Sequence, residues 1–298
     1  MSIRGNFARS AIYLLFPFVR KCFKPRTLKY LTVFLFHEIT DAPSSFQTEV
    51  SNYTTKENFQ KSIDWIQRNY NVISIAEINK ISEASSKPFA LITFDDAWQG
   101  QLWAARYITS QYDLPFTLFL NFGTIYTKVD IAALRVYNSN LVPTFKLLTC
   151  LKEDHKLDDA NFLEWQGPTL TLDDIRELSE ISKCTLSNHS LHHYSAIELS
   201  NPDFKRNVQL NEEELNEFNS FNNSYAFTYG SPSKDFTPNH VQILLSLGYK
   251  YVFSADAKLN SLPIDSRNLL SRINFSPRDS RSSDFWWATY KGVLLKRY

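Results

Sequence analysis

The chain has 298 residues, enough for one large α/β domain or two small ones, and 43% of them are hydrophobic, which excludes global disorder. Its 32 basic and 31 acidic residues leave a net charge of +1, so the charge total argues for no nucleic-acid partner. Only 7 glycines, with no G-x-G-x-x-G or Walker-type run, argue against a phosphate-cradling loop. Cys22, Cys150 and Cys184 are scattered and form no C-x-x-C pair, which argues against a disulfide framework or a thiolate zinc site and fits a reducing, cytoplasmic setting.

Residues 1–30 hold Arg4, Arg9, Arg20, Lys21, Lys24, Arg26 and Lys29 and no acid. The apolar run from Ala11 to Val19 between them is too short to span a bilayer. A basic, aromatic segment can lie on an anionic membrane surface, which would put the protein at the inner face of the membrane. It can also be a packed helix with solvated charges, or a signal peptide lacking a clear cleavage site. From residue 31 the pattern becomes regular. Leu31 to Ile39 reads as a buried strand, Thr54 to Tyr70 as a capped helix with Phe59, Ile63 and Ile66 inward, and Asn71 to Ser74 as a short strand. A helix over Ile75–Ala84 precedes a strand over Pro88–Phe94, a helix over Trp98–Tyr112 and a strand over Pro115–Phe122. After a less regular insert, about residues 123–170, the alternation resumes. Thr171–Ile181 is a helix with a capping-box start, Cys184–Asn188 a strand, and Pro202–Ser220 a polar helix. Tyr225–Tyr229 is a strand, Thr237-Pro238 opens a helix to Leu247, and strands follow over Tyr249–Ser254 and Leu269–Phe275. A helix from Ser283 with Phe285, Trp286 and Tyr290 inward ends the chain. About seven strands in a repeated βα pattern predict parallel pairing with right-handed crossovers, as a barrel or a doubly wound sheet.

The candidate chemistry sits at strand ends. Asp95 and Asp96 follow the apolar run ending at Phe94, and His189-Ser190-Leu191-His192-His193 follows the strand ending at Asn188. In a parallel barrel that end of the strands carries the active site. A helix cap alone would explain one of the two acids, and a lone histidine there is more often structural. Two imidazoles four residues apart with a carboxylate instead make a nitrogen–oxygen ligand set suited to zinc or another divalent first-row metal. The second carboxylate is then free to act as general base, since adjacent residues of an extended chain point different ways. Trp98, Trp103 and Tyr112 could line a cleft but read first as wall packing, and Glu212-Glu213-Glu214 as a solvated helix face.

Thr93-Phe94-Asp95-Asp96 followed by His189-Ser190-x-x-His193 resembles the polysaccharide deacetylases, the NodB-homology group of carbohydrate esterase family 4. Phe36-His37-Glu38-Ile39, the Gly248-Tyr249 strand and Ser271-Arg272-Ile273 are similar to other parts of that domain in exopolysaccharide members, so the likeness spans roughly residues 31–276. The resemblance implies a distorted (β/α) barrel, NodB-like, with fewer than eight complete repeats. It implies that Asp96, His189 and His193 hold the metal, zinc first and cobalt, nickel or manganese as alternatives. It implies that Asp95 is the general base, with Arg272 beside it, and that Tyr229 supplies a backbone N–H to the oxyanion. The expected reaction is hydrolysis of the acetyl group from an N-acetylated sugar in a polysaccharide or a lipid- or nucleotide-linked glycan.

Three positions depart from the family pattern. The third motif runs Phe227-Thr228-Tyr229-Gly230-Ser231-Pro232, with its proline displaced. His192 competes with His193 for the second imidazole position; family spacing selects His193. No histidine follows His240, so the family's late general acid is missing, and His37, His192 or a water on the metal are the substitutes. These departures motivate one alternative, a catalytically inactive carbohydrate-binding relative. A nucleotide-sugar site built on the paired acids is a weaker one, because such sites are dominated by oxygen ligands.

Overall fold

The strands that carry the site are apolar on both faces, which is how a parallel strand covered by helices reads. The computed structural model describes residues 28–81, 85–137, 160–265, 269–275, 277 and 279–294. Nearly all of the basic N-terminal segment, with Cys22, and also Cys150 lie outside these. In chain order the elements are β1 (Tyr30–Phe36), β2 (Glu38–Ile39), α1 (Ser45–Val50), β3 (Tyr53–Thr54), α2 (Lys56–Asn69) and β4 (Asn71–Val72). After a 3₁₀ turn over Ile75–Lys80 come β5 (Phe89–Asp95), α3 (Gly100–Tyr112), β6 (Phe116–Leu120), α4 (Phe122–Thr127), α5 (Ile131–Tyr137), α6 (Ala160–Gln166) and α7 (Leu172–Glu180). Then follow β7 (Cys184–Asn188), α8 (Asn201–Leu215), β8 (Phe221–Ala226), α9 (Pro238–Ser246), β9 (Tyr251–Phe253), β10 (Asn260–Ser261), β11 (Leu269–Leu270), β12 (Ile273–Asn274) and α10 (Ser282–Leu294).

The sheet runs β10-β1-β5-β6-β7-β8-β9-β11, and every pairing from β1 to β11 is parallel. β12 returns to pair with β1 in parallel, so one short segment touches both edges and all but closes the sheet. This is the distorted (β/α) barrel that the resemblance implies, and one of the two architectures that the alternation left open. Period-two alternation sorts the side chains. Leu31, Val33, Leu91, Phe119, Phe253 and Leu270 cluster inside with Ile75 and Ile78 of the 3₁₀ turn. Phe34, Phe36, Ile92, Phe94, Leu118 and Leu120 face outward onto the helices, against Phe59, Ile63 and Ile66 of α2. The aromatic content is spent largely in this outer layer, where Phe36 meets Phe59 edge-on at 5.1 Å and Phe34 meets Tyr70 at 5.2 Å. Helix starts follow their caps: the Thr55 side chain accepts from the Asn58 N–H, and Thr171 and Asp174 form a reciprocal capping box.

Several expected boundaries move. The strand over Leu31–Ile39 ends at Phe36, and Glu38–Ile39 pairs instead with β3 in a separate two-stranded sheet. The Glu38 carboxylate explains the departure, since it turns away to accept the N–H of Gly100 at the start of α3 (3.1 and 3.2 Å). The helix expected over Ile75–Ala84 is the 3₁₀ turn to Lys80, and residues 82–84 lie outside the described ones. β6 stops at Leu120, because Asn121 turns its amide onto the carbonyl of His189 and α4 begins. The strand expected over Tyr225–Tyr229 lies earlier, at Phe221–Ala226. The strand expected over Leu269–Phe275 breaks in two at Ser271-Arg272, where the chain crosses from β9 to β1. The insert carries α4, α5 and α6, with residues 138–159 outside the described ones. Among the described residues no helix is long and apolar enough to cross a membrane.

Candidate active site

Period two delivers Asp95 on the same face of β5 as Leu91, toward the barrel interior. There both carboxylate oxygens meet the Arg272 guanidinium, Nη1 to Oδ1 at 2.7 Å and Nη2 to Oδ2 at 2.6 Å, with both side chains buried. Arg272 Nε donates to the Ser254 carbonyl at 3.0 Å, and the guanidinium lies over the Phe119 ring at 5.4 Å. The crossing between β11 and β12 is what places this arginine over the end of β5. A buried charge without such a partner costs several kcal/mol. The chain then leaves the strand sharply. Asp96 (φ 75°) and Ala97 (φ 55°) both sit in the left-handed region. That conformation costs non-glycine residues on the order of 1–3 kcal/mol each. It separates the two adjacent carboxylates, sending Asp96 toward the histidines.

His189 follows β7. Its Nδ1 is 2.8 Å from the Ala226 carbonyl and its Nε2 3.2 Å from Asp96 Oδ1. His193 places Nε2 3.1 Å from the same Asp96 oxygen and Nδ1 2.7 Å from Asp130 Oδ2. The intervening loop is held by amide side chains. Asn188 Oδ1 accepts from the Ser190 N–H (2.8 Å) and Asn211 Nδ2 (2.9 Å), and Asn207 Oδ1 accepts from the Leu191 N–H (2.9 Å). The Gly123 N–H donates to the Leu191 carbonyl at 2.8 Å, and a side chain at that position would run into His192. His192 packs on Tyr194 instead of joining the cluster, so the structure brings His193, not His192, to Asp96.

The ligand atoms of Asp96, His189 and His193 all lie within 4.8 Å of one another, and all three residues are buried. Each imidazole has Nδ1 engaged by a carbonyl or a carboxylate, which leaves Nε2 facing the shared point, the arrangement found around metal-ligating histidines. The second Asp96 oxygen takes bonds from Trp98 Nε1 (3.3 Å) and Asn52 Nδ2 (3.4 Å). Burial would push the Asp96 carboxyl up, but His193, His189 and His37 outweigh it and hold it well below its ordinary value. Burial would likewise push His193 down, and Asp130 and Asp96 outweigh it and raise the imidazole well above its ordinary value. Two nitrogens and an anionic oxygen, buried and pre-aimed, fit a divalent first-row cation.

His37 lies across from this cluster with Nε2 4.0 Å from Asp96 Oδ2, and burial lowers its pKa against the pull of Asp96 and Asp95. Tyr229 does not end a strand as expected; it lies beyond β8 with φ 57° and stacks its ring on His193, centroids 5.2 Å apart and planes 11° apart. Its N–H is thereby outside the sheet ladder. Gly230 follows with φ 73°, and a side chain there would meet the Ala255 backbone. A cavity of about 390 Å³ joins all these groups, walled on one side by Phe46 and Val50 of α1 and by Ala132 and Val136 of α5. Arg135 also reaches it and pairs with Glu198 at 2.5 Å. Trp98 touches the site through its indole N–H, whereas Trp103 stacks on Tyr107 in the outer layer. Asp130, which engages His193 Nδ1, is the residue of this cluster that the sequence reading misses. Its only local signal is an acid before the apolar helix Ile131–Tyr137, which reads as a cap.

The polysaccharide deacetylase family model matches residues 82–252, which include both acids, both histidines and Tyr229. Among curated proteins, none matches the chain. Solved structures share the fold. The Streptococcus pyogenes deacetylase PplD, in complex with acetate, superposes with a TM-score of 0.62 at 16% identity, covering 87% of this chain and 98% of that one. IcaB from Ammonifex degensii gives 0.62 at 18% identity, covering 88% and 97%. The de-N-acetylase from Aggregatibacter actinomycetemcomitans gives 0.57 at 14% identity, covering 85% and 97%.

Proposed function

The chain belongs to the polysaccharide deacetylase family, and from that premise we propose that it hydrolyses the acetamido group of an N-acetylated sugar in a metal-dependent reaction. The observation that carries the reading is the separation of two adjacent carboxylates into two environments: Asp96 with two imidazoles, Asp95 with a guanidinium. Asp96, His189 and His193 would hold the ion, with zinc best suited to the donor set. A divalent ion there would acidify a water and polarise the amide carbonyl. Asp95, oriented by Arg272, takes the proton of the attacking water. The new C–O bond forms as negative charge gathers on the carbonyl oxygen, and the Tyr229 N–H donates to that oxygen. The C–N bond then breaks as His37, in its protonated form, delivers the proton that the leaving amine needs; Asp95 afterwards releases its proton to solvent and His37 takes one up, which returns both groups to their starting states. His37 is assigned because it lines the cavity, while His192 packs on Tyr194 and His240 on Phe204. The products are acetate and a free amino sugar. With an imidazole in the cavity, the missing late histidine no longer argues for an inactive relative. The substrate is proposed to be a polymeric or carrier-linked glycan.

The test is acetate release from N-acetylglucosamine oligomers by the zinc-loaded full chain. Asp95→Asn should lower turnover about 10²–10⁴-fold while zinc stays bound, and His189→Ala should lose both zinc and activity. Undiminished release by Asp95→Asn would remove that residue as the base.

A further inference from the structure

We infer that Asp130 is a positioning residue that couples the segment between β6 and β7 to the metal ligand set and sets its affinity for the ion. The inference rests on the metal-centre reading proposed above. Asp130 is fully buried, and its two oxygens serve different elements. Oδ1 accepts the Ala133 N–H at 2.9 Å and so caps α5, while Oδ2 takes His193 Nδ1 at 2.7 Å. Its own N–H donates to Gln166 Oε1 at 2.7 Å, Gln166 Nε2 donates to the Lys128 carbonyl at 3.0 Å, and the Gln166 carbonyl accepts from Ser44 Oγ at 2.7 Å. A continuous path of hydrogen bonds thus runs from α1 through α6 to a ligand imidazole.

A cap alone does not account for this residue. Capping needs one acceptor, which serine or asparagine supplies without charge. A buried carboxylate costs several kcal/mol unless a cationic or strongly donating partner offsets it, and here that partner is His193. The two ligand imidazoles are also unequally backed: His189 donates to a neutral carbonyl, His193 to a carboxylate. A carboxylate behind Nδ1–H fixes the tautomer and makes Nε2 the stronger donor. Coupling between two sites is reciprocal, so binding of the ion must in turn firm the seating of α5 and α6.

Zinc and cobalt titrations of the full chain test this, with Asp130→Asn, Asp130→Ser and Gln166→Leu beside the wild type. Asparagine and serine keep an oxygen for the Ala133 N–H but remove the charge facing His193. The expected result is a 10- to 100-fold weaker zinc affinity in both, an altered visible spectrum of the cobalt form, and zinc-induced amide protection over residues 131–137 in the wild type that the variants lack. Gln166→Leu leaves the carboxylate in place and should lower the thermal midpoint more than it lowers affinity. Wild-type zinc affinity and cobalt spectrum in both Asp130 variants would overturn the inference while leaving the metal centre intact. A wild type that binds neither ion would overturn the metal centre and this inference with it.

Discussion

The floor of the cavity and the wall along one side of it are built by different means. The floor is a set of strand ends: Asp95 and Asp96 after β5, His189 after β7, and Arg272 at the crossing from β11 to β12. Its geometry is inherited from the ladder, in which Asp95 stands in register with Phe119 of β6 and β6 with β7 throughout. The wall, with Asp130, Arg135 and Val136, belongs to a helical insert whose side chains reach the rest of the protein through bonds such as Asp130 to His193 and Arg135 to Glu198. A ladder fixes many backbone groups at once, while a side-chain bond fixes one contact. Damage to the floor should therefore remove stability and chemistry together, and damage to the wall should tune one of them.

The largest effect is expected at the floor. Arg272→Met leaves Asp95 buried without its partner, which costs about 3–5 kcal/mol. The denaturant midpoint should fall accordingly, with loss of acetate release. A variant as stable as wild type would show that the ladder, not the ion pair, holds this end of β5.

A smaller effect sharpens the comparison just beneath the floor. Burial raises the Glu38 carboxyl from 4.5 to about 7, although the Gly100 N–H and Lys56 oppose it. The folded state thus binds this proton more tightly than the unfolded chain. The stabilising contribution is complete below about pH 4.5 and is lost as pH rises through about 7, a swing of roughly 3 kcal/mol. Glu38→Gln should flatten that part of the stability–pH profile. An unchanged slope between those limits would assign the pH dependence to other groups.

The smallest effect is expected at the wall. The Arg135 and Glu198 side chains are 36% and 16% exposed, so solvent screens their pair and it is worth at most about 1 kcal/mol. Arg135→Ala should leave the thermal midpoint nearly unchanged and raise KM with little change in kcat. An equal loss in kcat and kcat/KM would move Arg135 from substrate contact to the transition state.

The sequence by itself determined the parts whose causes are local. Apolar runs and caps placed most of the strands and helices. The Phe94-Asp95-Asp96 strand end and the His189–His193 spacing pointed to the residues that cluster as candidate metal ligands, because each motif is a few residues long and its direction follows from the strand before it. Those signals weaken where a boundary depends on a distant partner: Glu38 leaves its strand for the Gly100 N–H, and β6 stops because Asn121 binds the carbonyl of His189. That Leu269–Phe275 splits to bridge both sheet edges depends on tertiary contacts alone. The same holds for Asp130, outwardly a helix cap, which holds the His193 imidazole 63 positions away. Hydrophobic periodicity encodes which face of an element is buried. It carries no information about which residue of another element arrives opposite, since that depends on how the crossovers stack the whole barrel.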